Sequence, residues 1–302
     1  MTTTSAKPQT ALASGVTREV AVYVAFGVPY LAMALLSAHT FRRFNPARGV
    51  HIISNLPAAI TDVLPFWDVN KDSWTAVNDS IENNRKYKTN ITSIVQNERV
   101  AYLDCDTLIT GDIGDVLVLL DHFDIALRAH RGRQTHSFLA TVPILENGMT
   151  VGELPHWNGG AVYYKHSDQL ERFFLTWQDN FEALELKFDQ PALAKTLIES
   201  KLRILTLDER WNGGFKEITD DSGGVPKVVH YHSALDAKIE AGLRYFASLI
   251  ELKTDESAKK DVDDYISACR AKRIPKEPII YRLRRLFRRH WHRRHSIIDL
   301  KH

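Results

Sequence analysis

Asp104 and Asp106 stand two residues apart, directly behind the apolar run Val100-Ala-Tyr-Leu103. Two carboxylates so placed repel each other unless a cation lies between them. Mg2+ and Mn2+ prefer carboxylate oxygens and commonly bridge from them to substrate phosphates. In an extended chain both acids face one side and the intervening Cys105 faces the other. Open α/β sheets bind ligands beyond the carboxyl ends of their strands, which is where this pair falls.

The elements that must hold the pair follow from the hydropathy pattern. Val20 to Ala38 is nineteen residues without a charge, long enough on its face to span a membrane. Gly27 and Pro29 interrupt it, which predicts a buried strand over Val20–Phe26 and a helix over Leu31–Phe41. A second strand is expected at Val50–Ser54 and a helix over Ser73–Asn97, capped by Asp72 or Ser73. Val100–Leu103, Phe123–Leu127 and Gly160–Tyr164 read as further strands. Leu170, Phe173, Phe174, Trp177 and Phe181 share one helical face, which is core packing. A helix over Asp189–Ser200 tolerates Pro191 in its first turn, and Val228–His230 closes a last core strand. Strands alternating with helices predict an α/β fold with a mostly parallel sheet flanked by helices.

Composition bounds the rest. Of the 302 residues, 44% are hydrophobic and 25% charged, which excludes collagenous and wholly disordered chains. Two cysteines, Cys105 and Cys269, cannot build a disulfide framework, so a reducing, cytoplasmic setting is expected. Lys7 is followed by no apolar stretch of signal-peptide type. The Asn78 and Asn90 sequons would matter only in a secretory lumen. Residues 272–302 hold eleven Lys/Arg against Glu277 and Asp299, a charge of +9, which leaves −7 on the remainder of a chain whose net charge is +2. The expected organisation is a disordered lead at 1–17, one domain at 18–250 and a basic helical extension at 251–302. Within 279–295, Ile279, Ile280, Leu283, Leu286, Phe287 and Trp291 oppose a face of arginines. That pattern suits an anionic membrane surface on the inner face, with docking on the acidic body or nucleic-acid attraction as the alternatives; no specific nucleic acid is expected.

The segment Arg99-Val-Ala-Tyr-Leu-Asp-Cys-Asp-Thr-Leu-Ile-Thr-Gly-Asp-Ile113 resembles the metal-site segment of nucleotide-sugar-dependent glycosyltransferases of the GT-A fold, particularly the family 8-like group. Four segments follow the same order: Pro29-Tyr30, Trp157-Asn-Gly-Gly-Ala-Val-Tyr163, Asp189-Gln190 and Val229-His-Tyr-His232. The resemblance covers about 20–240. It implies a metal-dependent enzyme that moves a sugar, with retention, from a UDP- or GDP-sugar to a hydroxyl of a glycan or lipid-linked acceptor. It also implies roles for residues. Asp104, Asp106 and His230 would hold Mn2+ or Mg2+, with His232 as the alternative to His230. Tyr30, Arg85, Lys88, Asp104, Asn158 and Gly159 would bind the donor. Asp189 would accept from sugar hydroxyls, or merely cap its helix, and Gln190 would lie near the anomeric carbon.

Two features depart from the family, and a third resembles it. Ser233-Ala-Leu-Asp-Ala-Lys238 stands where the resemblance would place Lys-Pro-Trp, and Lys238, at a longer spacing from His230, would be the diphosphate-binding lysine. Arg128-Ala-His130 stands where an acidic sugar contact is common, and Trp211-Asn212-Gly213-Gly214 resembles an acceptor-side element. A haloacid-dehalogenase-like phosphatase, with Asp104 as nucleophile, and a non-catalytic scaffold at a membrane are the rival readings.

Overall fold

The computed structural model describes residues 18–80, 83–129, 144–185, 188–214 and 226–230. The expected lead at 1–17, His130, His232, Lys238, Cys269 and the 251–302 extension lie outside the described residues. The chain runs β1 (Glu19–Val24), α1 (Val28–Phe44), β2 (Gly49–Ser54), β3 (Ser73–Ala76), α2 (Asn84–Thr89), β4 (Arg99–Leu103), β5 (Thr107–Ile109) and α3 (Gly114–Leu119). It continues through β6 (Ile125–Ala129), β7 (Trp157–Lys165), α4 (Asp168–Ala183), α5 (Gln190–Glu199), β8 (Ile204–Leu207) and β9 (Val228–His230). Seven strands form one sheet in the order β3-β2-β1-β4-β7-β6-β8, and β5 pairs with β9 in a separate ribbon. Only β7 runs against its neighbours; the pairings β1–β2, β1–β4, β2–β3 and β6–β8 are parallel.

The uncharged run that opens the chain is explained by burial from both sides. Alternate residues of the sheet feed two cores. Ala21, Tyr23, Val50, Ile52, Ala101 and Leu103 pack with α1, α3 and the β5–β9 ribbon. Val20, Val22, Val24, Val100, Tyr102, Val162 and Tyr164 pack with α4 and α5. Helix α1 lies between the sheet and the ribbon, so nearly every residue from Leu31 to Phe41 is buried and no polar stripe is needed. Among the described residues no helix is long and apolar enough to cross a membrane. Gly27, at φ 79°, makes the turn from β1 into α1, and its N–H donates to Asn55 Oδ1 at 2.8 Å.

The helix expected over Ser73–Asn97 is not formed. Ser73–Ala76 is edge strand β3, paired to His51–Ser54, and only Asn84–Thr89 is α-helical, followed by a 3-10 turn at Ile91–Ser93. Thr and Trp in Ser-Trp-Thr-Ala suit a pleated surface. Asp72 does not cap a helix. Its buried carboxylate accepts from the N–H groups of Val50 (2.8 Å) and Asp68 (2.7 Å) and pairs with Arg42, which ties the β3 connection to β2 and α1. Val228–His230 is a strand as expected, but it belongs to the ribbon rather than to the main sheet. Asp104 therefore follows the fourth strand in the chain, and this strand is central in the sheet.

Strand order reverses between β1 and β4. From β1 the chain passes through α1 to β2 on one side; the return from β3 lands β4 on the other. The crevice beyond the carboxyl ends of β1 and β4 is the switch point where such sheets bind ligands.

His51 on β2 sits between Ser73 Oγ (2.8 Å from Nδ1) and Thr75 Oγ1 (2.9 Å from Nε2), one hydroxyl donating and the other accepting. Burial pushes its pKa from 6.5 down to about 4. Between these values the unfolded chain takes up a proton that the folded protein refuses. The contribution is therefore fully present above pH 6.5 and is lost as pH falls towards 4, by about 3 kcal/mol at most. Urea unfolding midpoints should fall steeply over this window in the native protein and more shallowly in His51→Gln, which keeps both hydroxyl partners but cannot charge.

Candidate active site

Three acids and two cations converge at the switch point. Asp104 leaves β4 with its N–H donating to Gly160 O at 2.8 Å. Its Oδ1 accepts from Tyr102 Oη at 2.5 Å and Lys88 Nζ at 3.2 Å. The Lys88 ammonium also lies 3.0 Å from Asp189 Oδ2 and 5.2 Å from the centre of the Tyr102 ring. Arg85 Nε lies 3.7 Å from Asp189 Oδ1, with its guanidinium over Phe188. Burial opposes the charges on Lys88 and Asp189, but it is outweighed for Lys88 by Asp104 and then Asp189, and for Asp189 by Lys88 and then Arg85. Lys88 is held above the usual lysine range and Asp189 below the usual carboxylate range. Burial first, and then the Asp104 carboxylate, push the Tyr102 phenol up, so it stays a donor.

Asp189 holds the N-cap position of α5, but its side chain does not cap the helix. It adopts helical φ and ψ at the start of α5 and makes no capping hydrogen bond. Its carbonyl accepts from Trp177 Nε1 at 3.1 Å, which fixes the residue against α4 and frees the carboxylate to face Lys88.

The third side of the site comes from β9. His230 Nε2 lies 3.1 Å from Asp106 Oδ1 and 3.8 Å from Asp104 Oδ2. Burial lowers the basicity of the imidazole, but Asp106 and then Asp104 outweigh this and raise its pKa. Asp104, Asp106 and His230 each present a ligand atom, all within 4.8 Å of one another. Two carboxylates and one imidazole are a donor set suited to Mn2+ or Mg2+, imidazole favouring the former. Antiparallel pairing of β5 with β9, Thr107 opposite His230, delivers the histidine to this place.

Gly160 makes room for it. A Cβ there would lie 2.0 Å from His230 Cε1 and 2.5 Å from Nδ1. The pairing of β7 with β6 slips between Leu127 and Arg128, so β7 bulges over 158–161, and Asn158 Oδ1 accepts from Gly160 N at 2.8 Å within the bulge. The flanking Gly159 faces Lys88, Leu193 and Asp189.

Of the residues expected at the site, Tyr30, Arg85, Lys88, Asp104, Asp106 and Asp189 line one cleft of about 710 Å³ including its open mouth, together with Val24, Met33, Asn84, Tyr102 and Cys105. Cys105 turns inward, its thiol donating to Val24 O at 3.2 Å. Arg85 and Lys88 reach the cleft from the short α2, not from a long helix. Asn158 is buried in the bulge, and neither it nor Gln190, at the first position of α5, lines the cleft.

Asn212 and Arg128 lie behind the imidazole. Asn212 is wholly buried, with Oδ1 2.9 Å from His230 Nδ1, and Arg128, also buried, donates from Nη1 to Asn212 O at 3.0 Å. The glycine pair inside an apolar strand was a signal for a bulge and a close approach. No local signal marks Asn212, whose role exists only once β9 is placed.

No protein-family profile matches the chain, and no curated protein matches it by sequence. Solved structures do. The galactosyltransferase LgtC, determined in complex with donor and acceptor sugar analogs, superposes with a TM-score of 0.55 at 14% identity over 76% of this chain and 95% of its own. The apo form of the glycosyltransferase GlyE from Streptococcus pneumoniae TIGR4 gives 0.53 at 16% identity over 80% of this chain and 64% of its own. With the sheet order and the switch-point site, this likeness establishes that the chain has the GT-A glycosyltransferase fold.

Proposed function

We propose that the protein is a metal-dependent glycosyltransferase that moves a sugar from a nucleoside-diphosphate donor to a hydroxyl acceptor. The observation that carries this reading is the convergence of Asp104, Asp106 and His230 within 4.8 Å, beside a cleft that also holds Lys88, Arg85 and Asp189. When bound, Mn2+ or Mg2+ supplies Lewis-acid neutralisation of the diphosphate as the sugar–phosphate bond breaks. Charge supports an order of binding. Three carboxylates against Lys88 and Arg85 leave the cleft formally negative, which repels a diphosphate until a divalent cation reverses the sign.

The chain's own residues bind and orient. Lys88 and Arg85 place cations beside the donor. Asp189, charged and immobilised by them, accepts hydrogen bonds from sugar hydroxyls. Tyr30 and Met33, from the first turns of α1, wall the nucleotide side. Low basicity makes Asp189 a poor nucleophile, and the amide of Gln190 is poorer still. Transfer with retention, the acceptor proton passing to the leaving phosphate oxygen, fits the absence of a nucleophile among the described cleft residues. A UDP- or GDP-sugar as donor, and a glycan or lipid-linked acceptor approached through the basic 279–295 segment at an anionic membrane, complete the proposal.

A thermal-shift series of nucleotide sugars with and without Mn2+ tests it. Stabilisation by a UDP- or GDP-sugar only with Mn2+ is expected; stabilisation by phosphomonoesters instead would favour a phosphatase. Asp106→Asn should lower donor turnover at least about 100-fold without altering the melting temperature by more than a few degrees. It is a cleaner variant than Asp104→Asn, which also removes a countercharge of buried Lys88. Unchanged turnover in both would overturn the reading.

Gly160→Ala should have the same selective effect by a steric route. The added methyl cannot share space with the His230 ring. Calorimetry should show Mn2+ affinity reduced at least about 10-fold in a protein whose circular dichroism is native.

A further inference from the structure

We propose that Asn212 is a positioning residue of the metal centre, fixing which ring nitrogen of His230 faces Asp104 and Asp106. The inference rests on the cation reading above. Asn212 Nδ2 donates to Asn158 O at 3.4 Å, which turns Oδ1 towards the imidazole. Oδ1 is an acceptor, so the His230 Nδ1 that lies 2.9 Å from it carries the proton. Nε2 is then the nitrogen that faces the Asp106 oxygen at 3.1 Å and the Asp104 oxygen at 3.8 Å, and the one that can give up its proton to a cation held by them. With the opposite tautomer an N–H would point at the ligand position.

Asn212 is itself held from three sides. Its carbonyl accepts from the buried Arg128 on β6, the neighbouring Trp211 carbonyl accepts from Tyr163 Oη at 3.1 Å, and the Gly213 carbonyl accepts from His230 N at 3.0 Å. The bulged strand, β6 and β9 thus share one rigid seat for the ring. Partners of this kind contribute to metal affinity because they fix the ligand's orientation and raise its basicity.

Mn2+ affinity of the full chain, measured by calorimetry and by the loss of the free-ion paramagnetic resonance signal, tests the assignment. Asn212→Leu, which cannot accept from Nδ1, should weaken binding about 10- to 100-fold. Asn212→Asp keeps the acceptor next to Arg128 and should bind within about threefold of the native protein. A folded Leu variant with native affinity, or an Asp variant that loses as much as Leu, overturns the proposal and leaves the cation reading standing. Should the Leu variant fail to fold, the Asp variant decides: affinity near native supports the assignment, and a tenfold loss overturns it. Native protein that binds no Mn2+ removes the cation reading and this proposal together.

Discussion

Like charges do not gather at the end of a strand unaided, and the site depends on how this protein makes them do so. Asp104, Asp106 and Asp189 face one cleft. A lone lysine in water would be worth little to them, because exposed ion pairs are screened. Lys88 is different: its side chain is 10% exposed and that of Asp189 is 9%, so neither charge can be left without the other. Breaking such a buried pair from one side costs several kcal/mol, about 3–5 in measured cases, even where the intact pair adds little net stability. The pair therefore acts as a constraint on geometry. It fixes α2 against α5, and the same ammonium also reaches Asp104 Oδ1 at 3.2 Å.

The two layers of the fold each deliver half of the site. Lys88, Arg85 and Asp189 come from the helices on one face of the sheet, and His230 comes from the ribbon on the other. Only the end of a central strand is within reach of both, which is why the aspartates follow β4. Helix α1 sets the distance between sheet and ribbon. Its Ser37 bonds to Thr107 Oγ1 at 2.9 Å, and its Thr40 hydroxyl accepts from Ile109 N at 3.1 Å. These bonds register β5 on the helix, β5 registers β9, and β9 presents the imidazole. An imidazole 124 residues from its partner Asp106 is thus placed by a chain of buried hydrogen bonds.

Much of this was legible before any coordinates. Val20–Ala38 declared a buried strand and helix because Gly27 and Pro29 broke it, and the acids behind Val100–Leu103 marked the strand end where Asp104, Asp106 and His230 converge. What failed was local. Ser73–Asn97 has helix-forming stretches, yet Asp72 spends its carboxylate on Val50 and Asp68, and the pairing of β3 with β2 overrides propensity. The capping alternative for Asp189 gives way for a tertiary reason: the buried lysine that claims its carboxylate comes from a distant segment. His230 stood out in the sequence, and the glycine pair hinted at a close approach at Gly160, but nothing local says that the ring of His230 is what approaches or that Asn212 seats it. Their meaning is tertiary.

The arrangement of hydrogen bonds also separates the rival chemistries. A phosphatase nucleophile must present a carboxylate oxygen unencumbered to phosphorus. Asp104 Oδ1 instead accepts from Tyr102 and Lys88, and Oδ2 faces His230. Phosphatases of the haloacid-dehalogenase kind place their Asp-x-Asp after the first core strand, whereas three strands precede β4 here. Asp189 is no better as a nucleophile, since the ion pair that orders it also lowers its basicity. Every acid at the cleft is thus arranged to hold something charged rather than to attack. For a reaction whose difficulty is the negative charge left on a departing group, that is sufficient, because catalysis needs only that binding strengthen as the charge develops.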